Sequence, residues 1–403
     1  MFQIFDLRLK MKKIIKPYFI DTTLRDGEQA PGVVFSLDEK MKVCSLLDRT
    51  GIPELEIGSP AMGIKEVQDI SIICRQGFKF KTLSWCRANK KDILLAAKSG
   101  TNGIHLSFPV SKILQNAMEK DEKWVLEHLQ EMFDFASSQF EYVTIGAQDA
   151  SRANLPFLKE FIGLGAFLGV ARIRIADTVG VLNPLSCFKL IKSIHATYPD
   201  LPLEIHTHND LGMATANTVS AFLAGAECLS VTVNGLGERA GNAALEEVAM
   251  ALEMSEKISS GLNTTYFSEL STYVSGISNR ALPESKPITG SHALVHESGI
   301  HTQCLQKNRN TYQLFEASKI GKTEQDFIIG KHSGKSTIRY YLQKENLPID
   351  ETVCDVLLLK IKEEATKKKK CLSEKEFYQI YWEIRKKDKY YGEKEYTGIN
   401  HSR

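Results

Sequence analysis

One feature constrains this chain more than any other. Strand-like and helix-like segments alternate eight times in the first two-thirds of the sequence. Short apolar or β-branched runs fall at 18–21, 55–58, 82–85, 104–108, 142–145, 173–176, 203–206 and 229–233. Amphipathic stretches lie between them, at 38–50, 67–75, 91–99, 124–138, 155–163, 184–197, 213–224 and 243–252. Repeated βα units imply parallel strands joined by right-handed crossovers. Eight units within about 250 residues predict an α/β protein of the (β/α)8 TIM-barrel kind. A doubly wound open sheet is the alternative, but no GxGxxG loop follows an early strand.

Beyond the eighth unit the pattern changes. Residues 259–265 and 283–290 look like linkers, and the chain from 350 reads as helical with a lysine run at 367–370. The expected organisation is an N-terminal extension (1–16), a barrel (17–285), a mixed linker and lid subdomain (286–346), and a C-terminal helical subdomain with a charged tail (347–403). The chain has 403 residues, ample for a large core and more than one domain. A formal charge of +2 gives no reason to expect nucleic acid or an acidic membrane as partner. No apolar run approaches the roughly 20 residues of a membrane helix. The basic N-terminus lacks the uninterrupted apolar core of a signal peptide. Eight cysteines without a CxxC pair suit reduced thiols in a cytoplasmic protein that acts on small molecules.

A barrel of this kind works at the C-terminal ends of its strands. Strand seven ends in Ile205-His206-Thr207-His208-Asn209-Asp210. Alternate residues of a strand share a face, so His206 and His208 converge. A lone histidine is more often a hydrogen-bonded core residue, but two at one strand end point to a metal ion. Asp26, after strand one, offers a carboxylate, and Asn242, after strand eight, a carbonyl oxygen. Two imidazoles and two oxygens leave room for a bidentate ligand. That suits Mg²⁺ or Mn²⁺, with Zn²⁺ as the alternative. Such a site could chelate a 2-oxo acid through its carboxylate and ketone. Arg25 could then stabilise the alkoxide that forms when the ketone is attacked, unless it serves only a salt bridge.

Three stretches carry a family resemblance: 21–29 (Asp-Thr-Thr-Leu-Arg-Asp-Gly-Glu-Gln), the His-x-His-Asn-Asp run at 206–210, and 234–242 (Asn-Gly-Leu-Gly-Glu-Arg-Ala-Gly-Asn). They resemble the acyl-transferring 2-oxo acid enzymes of the DRE-TIM metallolyase superfamily, among them the homocitrate, 2-isopropylmalate and citramalate synthases. The similarity runs from about residue 21 to 346. Residues 84–87, 106–111 and 176–181 most resemble the nitrogen-fixation type of homocitrate synthase. The resemblance implies a Claisen condensation in which acetyl-CoA loses a methyl proton and attacks the ketone of the 2-oxo acid. Thioester hydrolysis follows, and 2-oxoglutarate is the acceptor. It implies Asp26, His206 and His208 as metal ligands, with Asn242 weaker. Arg25 is the electrostatic catalyst, and Gln29 and Thr178 bind the acceptor. His301, in a lid segment beginning His296-Glu297, is the implied base, and Tyr312 its partner. In the family this lid reaches over the neighbouring barrel, which implies a homodimer.

Two positions depart from the family. Position 148 is glutamine where many members have glutamate. Glutamine can orient a partner but cannot carry a catalytic proton. Position 144 is threonine where lysine-pathway members have the arginine that pairs with the acceptor's distal carboxylate. Arg87, after strand three, is the candidate replacement, with a rim salt bridge as its alternative role. Oxaloacetate, pyruvate and 2-oxoisovalerate remain alternative acceptors, and an aldolase or lyase on the same barrel is the second class of function. Gly330-Lys331-His332-Ser333-Gly334 is a further basic turn. Ser333 is its expected helix cap, and a phosphate of CoA is a candidate ligand beside a purely structural role.

Overall fold

The computed structural model describes residues 16–324 and 326–398. The expected extension lies outside them except for Lys16, and the last five residues of the tail lie outside them altogether. The described chain divides into two compact units, one ending at Leu282 and the other beginning at Pro283.

The first unit is a closed barrel of eight parallel strands in sequence order. These are β1 (Tyr18–Asp21), β2 (Glu54–Gly58), β3 (Lys81–Arg87), β4 (Gly103–Pro109), β5 (Tyr142–Gln148), β6 (Arg172–Asp177), β7 (Leu203–Thr207) and β8 (Cys228–Val231). Between and after them run α1 (Leu37–Thr50), α2 (Ile64–Cys74), α3 (Lys90–Ser99), α4 (Lys112–Ala117), α5 (Glu122–Ser137), α6 (Leu155–Leu168), α7 (Pro184–Thr197), α8 (Ala214–Ala224), α9 (Leu245–Met254) and α10 (Phe267–Ile277). The barrel is the one the alternation predicts. It adds α4 after β4, and α10, which packs on α1 beyond the linker-like stretch at 259–265.

Local chemistry sets these elements. Ser36 and Glu39 form a reciprocal capping box at the start of α1. Asn183 and Ser186 do the same for α7, where Pro184 occupies the first turn. In β2 every residue is buried, although the sequence alternates Glu-Leu-Glu-Ile. The two faces of a barrel strand explain this. Leu55 and Ile57 belong to the apolar face packed by helices, while Glu54 and Glu56 point inward to form ion pairs.

The second unit contains α11 (Gly299–Lys307), α12 (Lys335–Lys344), α13 (Glu351–Lys368) and α14 (Glu374–Gly398). Ile338, Tyr341, Leu342, Leu357, Ile361 and Phe377 form its apolar core. The lysine run closes α13, whose C-cap, Lys369, is left-handed. Ser333 does not cap α12, contrary to expectation. The cap position is Gly334. The Ser333 hydroxyl instead accepts from the Gly330 N–H (2.9 Å) and donates to the Ile328 carbonyl (3.2 Å), closing the turn on itself.

Candidate active site

The loop after β1 is wound tightly enough to bring two charged side chains to the barrel mouth. The N–H groups of Arg25, Asp26 and Gly27 all donate to the Thr22 carbonyl. Beneath them Asp21 accepts from the Thr23 N–H (2.9 Å) and hydroxyl (3.0 Å). Burial pushes the Asp21 carboxyl up to about 7, against the pull of those two bonds.

Asp26 Oδ2 lies 3.1 Å from His206 Nε2 and 4.0 Å from His208 Nε2. The two Nε2 atoms are 3.2 Å apart, with the rings nearly perpendicular at 85°. All three residues are buried. His206 Nδ1 pairs with the Ser230 hydroxyl at 2.9 Å, an outer hydrogen bond that fixes the ring with Nε2 turned inward. Burial, and then His206, lower the His208 pKa to about 3, so its imidazole is neutral with a lone pair to offer. Burial works against an ionised Asp26, but Arg25 and the two imidazoles more than offset it and hold its carboxyl well below the usual range.

The carboxylate oxygen and two imidazole nitrogens lie 3.1–4.0 Å from one another, close enough to share one cation. A point equidistant from the three atoms is about 2.0 Å from each, the bond length of Mg²⁺, Mn²⁺ or Zn²⁺ to oxygen and nitrogen. His208 Nδ1 and Asn242 Oδ1 are buried without a hydrogen-bond partner among the described residues. Asn242 stands across from His208 in an isolated bridge, its amide nitrogen held by the Leu236 carbonyl at 3.2 Å. The loop that carries it folds back on itself. Gly241, at φ +90°, must be glycine because a Cβ would sit 2.0 Å from the Gly235 carbonyl oxygen. The residues present therefore fit a divalent ion.

A cavity of about 200 Å³ opens beside these ligands. Its lining includes Arg25, Asp26, Gln29, Gln148, Thr178, His206 and His208, all singled out from the sequence. Arg25 is held by its Nε, 2.7 Å from Glu56 Oε2, and its guanidinium lies 5.6 Å from the centre of the Trp85 ring. Thr178 Oγ1 accepts from the Asp149 N–H at 2.8 Å, which leaves its own proton free to donate. The Gln148 amide lines the cavity with no hydrogen-bond partner among the described residues.

Arg87 is the exception. It is 65% exposed and forms two hydrogen bonds to Asp92 on α3, at 2.8 and 3.0 Å. It does not line the cavity. A carboxylate five residues on, at the start of the following helix, takes the guanidinium away from the mouth, and the proposed role at a distal carboxylate is withdrawn.

In the second unit the His301 and Tyr312 rings stack 3.9 Å apart at 25°, and His296 meets His301 edge-on at 5.9 Å. Glu297 accepts from the His332 N–H at 2.8 Å and so pins the glycine-bounded turn.

Sequence reasoning missed the layer below the mouth. Arg25, Glu56, Arg174, Glu204, Arg172 and Glu54 form one chain of alternating charge, each ion-paired to the next, and Tyr18 and Tyr142 donate to Glu54 at its end. The signal was present in the paired charges at every second position of Glu54-Leu-Glu56 and Arg172-Ile-Arg174.

Residues 16–274 match the HMGL-like family, and residues 288–369 match the homocitrate synthase post-HMGL domain-like family. The chain is 40% identical to 2-isopropylmalate synthase 2 of Caldanaerobacter subterraneus, over 93% of this chain and 98% of that one. It is 39% identical to homocitrate synthase 1 of a Nostoc species, over 91% and 97%. Among solved structures, the HMG-CoA lyase of Bacillus subtilis superposes with a TM-score of 0.60 at 19% identity, covering 67% of this chain and 96% of that one, a likeness of fold. With the barrel, the buried Asp-His-His set and both parts of the chain matched, this protein belongs to the HMGL-like family, among its DRE-TIM synthases.

Proposed function

We propose that the chain is an acyltransferase that condenses acetyl-CoA with 2-oxoglutarate and hydrolyses the thioester, giving homocitrate and CoA. The observation that carries this is the convergence of Asp26, His206 and His208 with the Arg25 guanidinium on one polar cavity. A divalent cation held by the first three, with Asn242 as a further oxygen donor, supplies Lewis-acid polarisation of the ketone. The chain's own groups do the rest. Arg25, locked by Glu56, offers a fixed positive charge to the alkoxide that grows as the new carbon–carbon bond forms. Gln29 and the free proton of Thr178 hydrogen-bond the acceptor. Gln148 orients it and moves no proton. His301 takes the methyl proton of acetyl-CoA, its ring steadied by Tyr312. In a homodimer the His301–Tyr312 pair of one chain serves the barrel of the other.

Two things support 2-oxoglutarate: the relatives named homocitrate synthase, and a cavity lining in which Trp85 and Ala176 are the main apolar residues. The relative named 2-isopropylmalate synthase favours 2-oxoisovalerate as a second reading. The test is CoA thiol release by purified protein with acetyl-CoA and Mg²⁺ or Mn²⁺, against 2-oxoglutarate, oxaloacetate, pyruvate and 2-oxoisovalerate. The highest kcat/KM is expected with 2-oxoglutarate. Preference for another acceptor overturns the named product, and silence with all four overturns the acyl transfer.

A further inference from the structure

The cavity has a charged floor that the proposed chemistry does not use. On β6, Arg174 and Ala176 are successive inward residues. Ala176 is in register with His206 and Arg174 with Glu204. Arg174 thus lies one inward layer, about 6.6 Å, below the metal-binding level. It is 3% exposed, yet it lines the cavity. Its Nε donates to Glu204 at 2.5 Å and its Nη2 to Glu56. Its Nη1 has no hydrogen-bond partner among the described residues. Glu204 and Glu56 do not belong to Arg174 alone. Each is shared with another arginine, Arg172 and Arg25 respectively. Ser107, on β4, also lines the cavity, and its hydroxyl is likewise unpaired among the described residues.

The neighbouring wall is kept open. A Cβ on Gly146 would stand 2.6 Å from His105 Nε2, so position 146 holds no side chain. His105 cannot supply the missing cation. Burial, and then Arg174, hold it neutral, and its Nδ1 is engaged by the Thr144 hydroxyl at 2.9 Å. One guanidinium edge and one hydroxyl therefore face the part of the cavity into which a metal-chelated acceptor would extend.

We infer that Arg174, through Nη1 and with help from Ser107, receives the distal carboxylate of a dicarboxylic 2-oxo acid and selects such acceptors over alkyl ones. This rests on the proposed binding of a 2-oxo acid at the metal site. A buried charge-assisted hydrogen bond of this kind is directional and strong.

Calorimetry on the Mn²⁺-loaded protein, without acetyl-CoA, tests it. The ligands are 2-oxoglutarate and 2-oxovalerate, which differ in carboxylate against methyl at the far end. The wild type should prefer 2-oxoglutarate by about 10- to 100-fold. The double variant R174M/E204Q removes one cation and one anion together, leaving Glu56 for Arg25 and Glu54 for Arg172. It should bring the two ligands within about 3-fold, with the whole loss on 2-oxoglutarate, and should retain wild-type Mn²⁺ affinity. Should that variant not fold, S107A carries the test, with an expected loss of about 3- to 10-fold for 2-oxoglutarate alone. Equal affinity of the wild type for both ligands, or equal loss of both in the variant, overturns the inference. A protein that shows this selectivity yet releases no thiol from acetyl-CoA overturns the acyl transfer and leaves Arg174 in its role.

Discussion

Two layers of the same barrel handle buried charge in opposite ways. In the lower layer Arg172 binds Glu54 and Glu204 at 2.6 Å each, and each charged group has a partner of opposite sign. In the upper layer Asp26, His206 and His208 converge beside Arg25, and His208 Nδ1 and Asn242 Oδ1 have no hydrogen-bond partner among the described residues. Taking charge out of water is costly in both places. The lower layer alternates one cation with one anion, whereas the upper layer sets a single carboxylate, Asp26, against Arg25 and two imidazoles. Under the proposed function the upper layer holds the ion, while the lower layer braces the barrel interior and turns only the Nη1 edge of Arg174 to the cavity.

The contrast predicts opposite signatures on mutation. The largest effect should come from His206→Ala in the upper layer. Turnover should fall by about 10⁴-fold or more because the ion is lost, while the metal-free protein should melt no lower than wild type. Thiol release and thermal unfolding in chelator check both halves. Arg172→Met, in the lower layer, should do the reverse. It strands two buried carboxylates and should cost about 3–5 kcal/mol in urea unfolding, with Mn²⁺ affinity within about 3-fold of wild type. A smaller effect is expected where the layers meet. Arg25→Lys loses the Nε contact to Glu56 and should lower kcat by about 10²–10³-fold with Mn²⁺ affinity little changed.

Asp21 sharpens the comparison through pH. Its folded pKa, about 7, is raised above the ordinary aspartate value of 3.8. The fold therefore favours the protonated form. That contribution is fully present below pH 3.8 and is lost as the pH rises through 7. Relative to wild type, Asp21→Asn should gain stability between those limits and hold the gain above them, as read by urea unfolding at pH 5 and pH 8. The smallest effect is predicted at Arg87. Its pair with Asp92 is largely solvent-exposed, so Arg87→Ala should change kcat/KM for 2-oxoglutarate less than about 2-fold.

The barrel was legible because its strands and helices have different hydrophobic periods, and the alternation survives in a single sequence. The candidate site was legible because His206-Thr-His208 sits at a strand end, where period-two alternation fixes the direction of both rings. The charged lower layer was not. Alternating Glu-Leu-Glu or Arg-Ile-Arg looks the same whether the polar face meets solvent or the inside of a barrel, and only closure of the sheet decides. Arg87 misled for a related reason. A strand-end arginine can turn into the mouth or back to the next helix, and Asp92 determines the outcome. His301 and Tyr312 could be picked out only by resemblance, since nothing in their spacing announces a stacked pair.

The most direct test of the account is calorimetric titration of 2-oxoglutarate into metal-free and Mn²⁺-loaded protein, alongside the variant H206A/H208A. The account predicts binding only when Mn²⁺ is present, and no Mn²⁺-dependent binding in the variant. Equal binding with and without the ion, or Mn²⁺-dependent binding that survives loss of both histidines, would contradict it.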